Sequence, residues 1–285
     1  MSTENKIDVD LLHYTPLAVT STAIRTCWAS GDKSDTLHEV WVCEDCGWIS
    51  PEGDLVPMAY DHVIRCPECN STEVGFYKAY TGDKDRDLID RVGNKFKHGS
   101  TLEHTVYSFY IKGISRALLQ ELARHRIASL SVKSTRYTLK ELKNEIKGDL
   151  FLPDGSPVND LYDLVSKYCA IPEFENESFD ILYRIQTAMV LGRIIQFLRK
   201  EISNDKVKYL LPESYKTELT WTINLRSLQN FLFLRLDKSA LWEIQDLAVA
   251  IVKAMPEDHL YLISDILKVK VKQNKRIAEL KEYIR

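Results

Sequence analysis

Arg124-His125-Arg126-Ile127-Ala128-Ser129-Leu130-Ser131-Val132-Lys133-Ser134-Thr135-Arg136-Tyr137 is the most informative stretch of the chain. From Leu122 to Lys140 there are five Lys/Arg, one His and no acid, in a chain of net charge −3. Guanidinium groups offer forked donors that match phosphate, and Ser and Thr add short-range hydroxyls. Such a stretch is either a local anion trap or a solvated basic end of a helix, which the helix dipole favours. Two features point to the trap. Ile127, Ala128, Leu130 and Val132 alternate with the polar residues, which predicts partial burial. The stretch also follows a helical pattern over Ile114 to Arg126 and is rich in hydroxyls, as phosphate-cradling loops are.

Upstream, Thr15-Pro16 predicts a helix start, with Thr15 as N-cap and Pro16 in the first turn, running to about Trp28. Residues 36–79 differ in texture. They hold short apolar strands such as Val40-Trp41-Val42 and turn residues from Pro51 to Asp54. This predicts an insertion, closed by the polar patch Thr81 to Asp87, within a main domain made of residues 1–35 and 80–285. Leu88, Ile89 and Val92 resume a helical spacing, and Thr105 to Ile111 alternates like a strand.

Downstream, Phe174 to Ile202 predicts a long amphipathic helix carrying Ile181, Ile185, Met189, Ile194 and Phe197. Asn224 to Leu236 reads as a helix apolar on nearly every side, hence buried. Trp242 to Met255 predicts another helix, and the chain from about Asp258 is helical and basic. Helices dominate, and the strands are not spaced as regular βαβ units, so the fold class is α+β.

With 285 residues and 45% apolar content the chain can bury a substantial core, as one large domain or two smaller ones. The net charge and a pI near 6.2 exclude a chain-wide basic field for nucleic acid. Met1 to Asp10 is polar and acidic, unlike a secretory signal. No run of about 18 apolar residues predicts a membrane span. The expectation is a cytoplasmic protein. No Gly-rich phosphate loop points to a phosphotransferase.

Cys43-x-x-Cys46, nineteen residues, then Cys66-Pro-Glu-Cys69 has zinc-ribbon spacing. Four thiolates suit a closed, structural Zn²⁺ site. Four free thiols on two hairpins, or a redox dithiol, are the alternatives. A loop-rich segment this short has little core without a staple, which favours the metal. Cys27 and Cys169 read as small buried hydrophobes.

Arg124-His125-Arg126, seven residues, then Ser134 resembles the signature of the flavin-dependent thymidylate synthases. His98-Gly-Ser100-Thr-Leu-Glu103-His104 and Ser108 to Arg116 are similar to that family's segments as well. Leu211-Pro212, Thr217, Asn224-x-Arg226-Ser227, Asn230, Arg235 and Trp242-Glu243-Ile244 fall in its order and spacing, and Arg25-Thr26-Cys27-Trp28 resembles its N-terminal part. The resemblance covers about residues 1–35 and 80–260, and not the cysteine segment.

It implies a helix-rich α+β fold with a small, mainly antiparallel sheet. It also implies reductive methylation of dUMP to dTMP, with 5,10-methylenetetrahydrofolate as carbon donor and NADPH-reduced FAD as hydride source. A homotetramer is implied, with Arg124 to Tyr137 and Asn224 to Arg235 drawn from different chains at one site. By the resemblance, His98, Ser100, Glu103, Arg124, His125, Arg126, Val132, Asn224, Leu225, Arg226 and Asn230 contact FAD. Glu121, Arg124, Val132, Lys133, Ser134, Thr135, Arg136, Lys208 and Arg235 hold dUMP. Arg235 is the main catalytic group, a cation that stabilises a developing anion at uracil N3.

Buried guanidinium groups are costly unless paired, so internal ion pairs account for Arg226 and Arg235 as well as a ligand does. Ser134 has no adjacent base and reads as a binding hydroxyl, not a nucleophile. Val132 stands where many members have a polar or acidic residue, Lys208 where Arg is common, and Ser239 where an imidazole often touches FAD. The rival readings are a nucleic-acid-binding protein, disfavoured by the charge, and a non-catalytic scaffold on the same fold. Bound flavin separates both from the enzyme.

Overall fold

The computed structural model describes residues 6–51 and 63–285. β1 (Asp8–Tyr14) runs into α1 (Leu17–Cys27). Thr15 does not cap this helix: the residue before it is Pro16, with no side-chain cap. The Thr15 hydroxyl instead accepts from the Val106 backbone N–H at 3.2 Å, tying the corner to the sheet. β2 (Leu37–Cys43) and β3 (Val74–Tyr80) pair antiparallel, Leu37 facing Tyr80 and Cys43 facing Val74. Of the predicted turn residues, Pro51 is described and residues 52–54 lie outside the described part.

α2 (Asp83–Ile89) continues through a π turn over Asp90–Lys95. The entry and exit of the cysteine segment meet here. Asp35 accepts from the N–H groups of Lys84 and Asp85 at 2.8 and 3.0 Å. Buried Asp85 accepts from Arg25 Nε, Ser34 Oγ and Thr36 Oγ1 at 2.5, 2.5 and 2.8 Å.

β4 (Val106–Ser115) is the centre of the main sheet. It buries Tyr107, Phe109, Ile111 and Ile114. A bulge between Lys112 and Ile114 is carried by Gly113 at φ +82°, where a Cβ would meet the Lys6 carbonyl oxygen at 2.5 Å. The helix predicted from Ile114 begins two residues later. α3 spans Arg116–Leu122, because Ser115 is still strand and then caps the helix through the Leu118 N–H. The predicted end at Arg126 is also too long, since the chain turns at Ala123 and becomes β5 (Ala128–Val132). α4 (Thr135–Thr138) follows.

α5 (Asn159–Tyr168) and α6 (Glu177–Arg199) pack together, burying Leu161, Leu164, Val165, Leu191, Ile194 and Ile195 in a second core. α6 starts later than predicted because Asn176 caps it through the Ser178 N–H. Among the described residues α6 is the one helix long and apolar enough to cross a membrane, by length and composition. Its apolar residues cover two faces: Leu191 and Ile194 are buried, while Ile181, Leu182 and Phe197 are exposed.

After α7 (Asn204–Val207) comes β6 (Lys216–Asn224), where Thr217, Leu219, Trp221 and Ile223 alternate inward. The sheet order is β1-β4-β6-β5, antiparallel throughout. α8 (Leu225–Arg235) and α9 (Trp242–Ala254) lie against the main core. Phe109, Trp221 and Phe231 form a chain of rings from sheet to α8, with centroids 6.4 and 5.1 Å apart. α8 is less buried than its sequence suggests: Phe233 and Leu234 are about half exposed, at 50% and 47%. α10 (Ser264–Gln273) and short 3-10 turns complete the chain. Helices and a small antiparallel sheet thus make the expected α+β fold.

Candidate active site

α3 ends at Leu122, and the turn that follows projects Arg124, His125 and Arg126 toward α8. The start of α3 is fixed from below. Buried Glu243 on α9 accepts from the Ser115 backbone N–H at 2.6 Å and its hydroxyl at 2.5 Å. Burial pushes the Glu243 carboxyl above its usual range, although the Ser115 bonds oppose this. α8 is launched by Asn224, whose side-chain oxygen accepts from the Ser227 N–H at 2.8 Å.

Between the turn and α8 lies a cavity of about 620 Å³ lined by Arg124, His125, Arg126, Arg226, Asn230 and Arg235, among others. Arg235 sits at its inner end, with 15% of its side chain exposed. Its Nε donates to His125 Nε2 at 3.0 Å, its Nη1 to Glu121 Oε2 at 3.1 Å, and its Nη2 to the Glu121 carbonyl oxygen at 3.3 Å. Arg124 shares the same carboxylate at 3.0 and 3.2 Å. Phe231 packs edge-on against the His125 ring, centroids 5.0 Å apart. Burial, then the nearby Arg235 and Arg124 cations, push the His125 pKa down to about 4, with Glu121 opposing. Arg226 pairs with Glu103 at 2.7 Å. Gly99 lies against this pair, and a Cβ there would come within 2.9 Å of Arg226 Nε and shift the arginine side chain.

The two segments expected from different chains therefore meet within one chain, at His125 and Arg235. Both α8 arginines have acidic partners, as the ion-pair reading anticipated. Arg126 is exposed and has no ion pair among the described residues. His98 and Ser100 lie exposed at the 3-10 turn Gly99–His104, next to the Glu103–Arg226 pair. Leu225 is fully buried and offers the cavity no side chain. Ile127 is 70% exposed, contrary to the burial predicted for it, because the turn throws it outward. Ala128 and Leu130 are packed against the core, and Val132 is 37% exposed on the edge strand β5.

The other nucleotide candidates stand apart. Lys133 and Thr135 line a smaller cavity of about 210 Å³ with Lys167, Tyr168, Tyr215 and Lys216. There Lys133 pairs with Glu218 at 3.1 Å, and Glu218 accepts from Tyr110 OH at 2.7 Å. Neither Glu218 nor Tyr110 stood out in sequence, where each is one polar residue of an alternating strand. Arg136 pairs with Asp205 at 2.8 Å, and Lys208 lies 3.8 Å from the same carboxylate. Ser134 precedes α4, half-buried. Ser239 bonds Asp237 at 2.8 Å.

The sulfurs of Cys43, Cys46, Cys66 and Cys69 converge within 4.8 Å of one another. Cys43 and Cys69 are 3.6 Å apart, and Cys46 and Cys66 3.5 Å. A tetrahedral zinc site with Zn–S of about 2.3 Å has sulfur–sulfur edges of about 3.8 Å. Of the other two cysteines, Cys169 is buried, as expected, and Cys27 is exposed.

The family described as "Thymidylate synthase complementing protein" matches residues 10–259. The flavin-dependent thymidylate synthase of Wolinella succinogenes is 46% identical over 254 residues, 89% of this chain and 96% of its own. That of Campylobacter jejuni (strain RM1221) is 45% identical over 267 residues, 92% of this chain and 98% of its own. A crystal structure of thymidylate synthase X from Helicobacter pylori with FAD and dUMP superposes with a TM-score of 0.66 at 41% identity, covering 92% of this chain and all of that one. A match that spans the sheet, the Arg124–Arg126 turn and α8 together means that the chain belongs to the flavin-dependent thymidylate synthases.

Proposed function

We propose that the chain makes dTMP from dUMP at the cavity between the Arg124–Arg126 turn and α8. The observation that carries this reading is the gathering of Arg124, His125, Arg126, Arg226, Asn230 and Arg235 around one cavity. Arg126, Arg226 and Asn230 form a donor set suited to the diphosphate of FAD. Bound FAD, reduced by NADPH, supplies the hydride that side chains cannot, and 5,10-methylenetetrahydrofolate supplies the carbon.

The chain's own part is positioning and electrostatics. Glu121 and His125 hold the Arg235 guanidinium in one orientation before any ligand arrives. A cation so fixed stabilises charge developing at uracil N3 without reorganising during reaction. Arg124, tied to the same carboxylate, carries a further positive charge at the cavity mouth. Lys133, Ser134, Thr135, Arg136 and Lys208 lie outside this cavity. The reading includes a homotetramer, in which a neighbouring chain brings residues of this kind to complete the nucleotide site. His98 and Ser100, exposed on their turn, fit the same arrangement. The compartment of this reading is the cytoplasm.

The four cysteines fit a structural Zn²⁺ in the insertion, residues 36–79, because their sulfur spacing matches a tetrahedral site. The main domain is then residues 1–35 and 80–285.

Purified protein should show a flavin absorbance that NADPH bleaches anaerobically, and should form dTMP once dUMP and methylene-folate are added. Arg235→Ala should keep the flavin yet lose dUMP-dependent turnover by about 10²-fold or more, the scale for removing one electrostatic stabiliser. A protein that stays colourless after FAD is added refutes the proposal.

A further inference from the structure

We propose that Arg235 fixes the tautomer of His125, making this side chain a neutral hydrogen-bond donor through Nδ1–H. The tautomer follows from one contact. Arginine Nε carries a hydrogen and no usable lone pair at any accessible pH, so it only donates. It lies 3.0 Å from His125 Nε2, which must therefore be the lone-pair nitrogen. A neutral imidazole with its lone pair at Nε2 carries its proton at Nδ1.

The surroundings leave no other arrangement. Protonating His125 would set an N–H against the Arg235 N–H, beside a second guanidinium from Arg124. The acidic group facing this cluster is Glu121, and its carboxylate is already committed to both arginines. Burial and the two cations hold the imidazole neutral well below physiological pH. Phe231 covers part of the ring edge-on, which restricts its rotation.

The guanidinium is equally determined. Three of its five N–H groups are taken, by His125, the Glu121 carboxylate and the Glu121 carbonyl. Two remain, one on each terminal nitrogen. Arg235 is thus a positioning residue for His125 as well as a charge in the cavity. The pair presents only donors, so it selects an acceptor atom in a ligand, a carbonyl or an anionic oxygen. That the acceptor belongs to flavin or uracil rests on the function proposed above; the tautomer does not.

The test uses the full chain, labelled with ¹⁵N at histidine, without added ligand. Solid-state ¹⁵N NMR separates protonated from lone-pair ring nitrogens, and His125→Gln identifies the His125 signals among the seven histidines. The expected result at pH 7.5 is a protonated Nδ1 and a lone-pair Nε2, unchanged down to about pH 5. Arg235→Met, which removes the donor but keeps the length, should release His125 to a tautomer mixture that titrates closer to an ordinary pKa of about 6.5. Nε2–H in the wild-type protein, or a doubly protonated ring at pH 7.5, overturns the proposal. So does an unchanged tautomer in a folded Arg235→Met variant. The wild-type measurement decides even if that variant does not fold, and none of these readings requires flavin to bind.

Discussion

Asp85 has no exposed surface and accepts hydrogen bonds from Arg25, Ser34 and Thr36. Burial alone would raise its pKa; the bonds from Ser34, Arg25 and Thr36 outweigh it and hold the carboxyl below its ordinary range. A carboxylate with a depressed folded pKa adds stability above its unfolded pKa of about 4, and that stability is lost as the pH falls through the folded value. Asp85→Ala strands the buried Arg25 guanidinium and should cost about 3–5 kcal/mol at pH 7. Urea midpoints of variant and wild type, compared at pH 7 and near pH 3, should converge on acidification. A constant gap would show that the charge of Asp85 is not what matters. This residue did not stand out in sequence, because nothing local pairs Asp85 with an arginine sixty positions away. Arg235 and Glu121 did stand out, through a resemblance rather than periodicity. Only the fold, however, brings Arg235 to His125.

The β2–β3 hairpin carries the cysteine cluster and is separate from the main sheet. Among the cluster's thiols, Cys66 is pushed down to about 7: burial opposes the shift, but the Cys69 and Glu68 N–H groups and the neighbouring sulfurs outweigh it. Stripping the metal with a strong chelator should release about one Zn²⁺ per chain and unfold this hairpin alone. Hydrogen exchange should rise across β2 and β3, and bound flavin should stay. Loss of flavin together with zinc would show instead that the insertion supports the site. Strand β2 was legible from Val40-Trp41-Val42, and the long helices α6, α8 and α9 from their apolar patterns. The short edge strand β5 was not: its five residues mix Ser with apolar side chains and are only partly buried. The hydroxyl-rich loop expected there is, in part, a strand paired with β6. β1 escaped notice for a related reason, as an edge strand with little burial to impose alternation.

At the scale of the whole molecule, the described residues bury two apolar cores. The main core joins β4, β6, α8 and α9, and the second joins α5 and α6. The α+β class was legible from the balance of helices and strands, whereas the strand order β1-β4-β6-β5 depends on pairings between distant segments. The cavity inherits this distance. One wall hangs from the end of α3 and the other is α8, on opposite sides of the β5–β6 pairing in the chain. A small molecule seated there touches both, and only the folded chain holds them together. Mass action then makes the ligand a thermodynamic clamp: every tenfold rise in free FAD above its dissociation constant should add about 1.4 kcal/mol to unfolding. In a thermal melt, the midpoint should climb in proportion to the logarithm of FAD concentration, without saturating when the sites are full. A plateau at saturation would mean that an unfolded chain keeps the flavin, and that one wall alone can bind it.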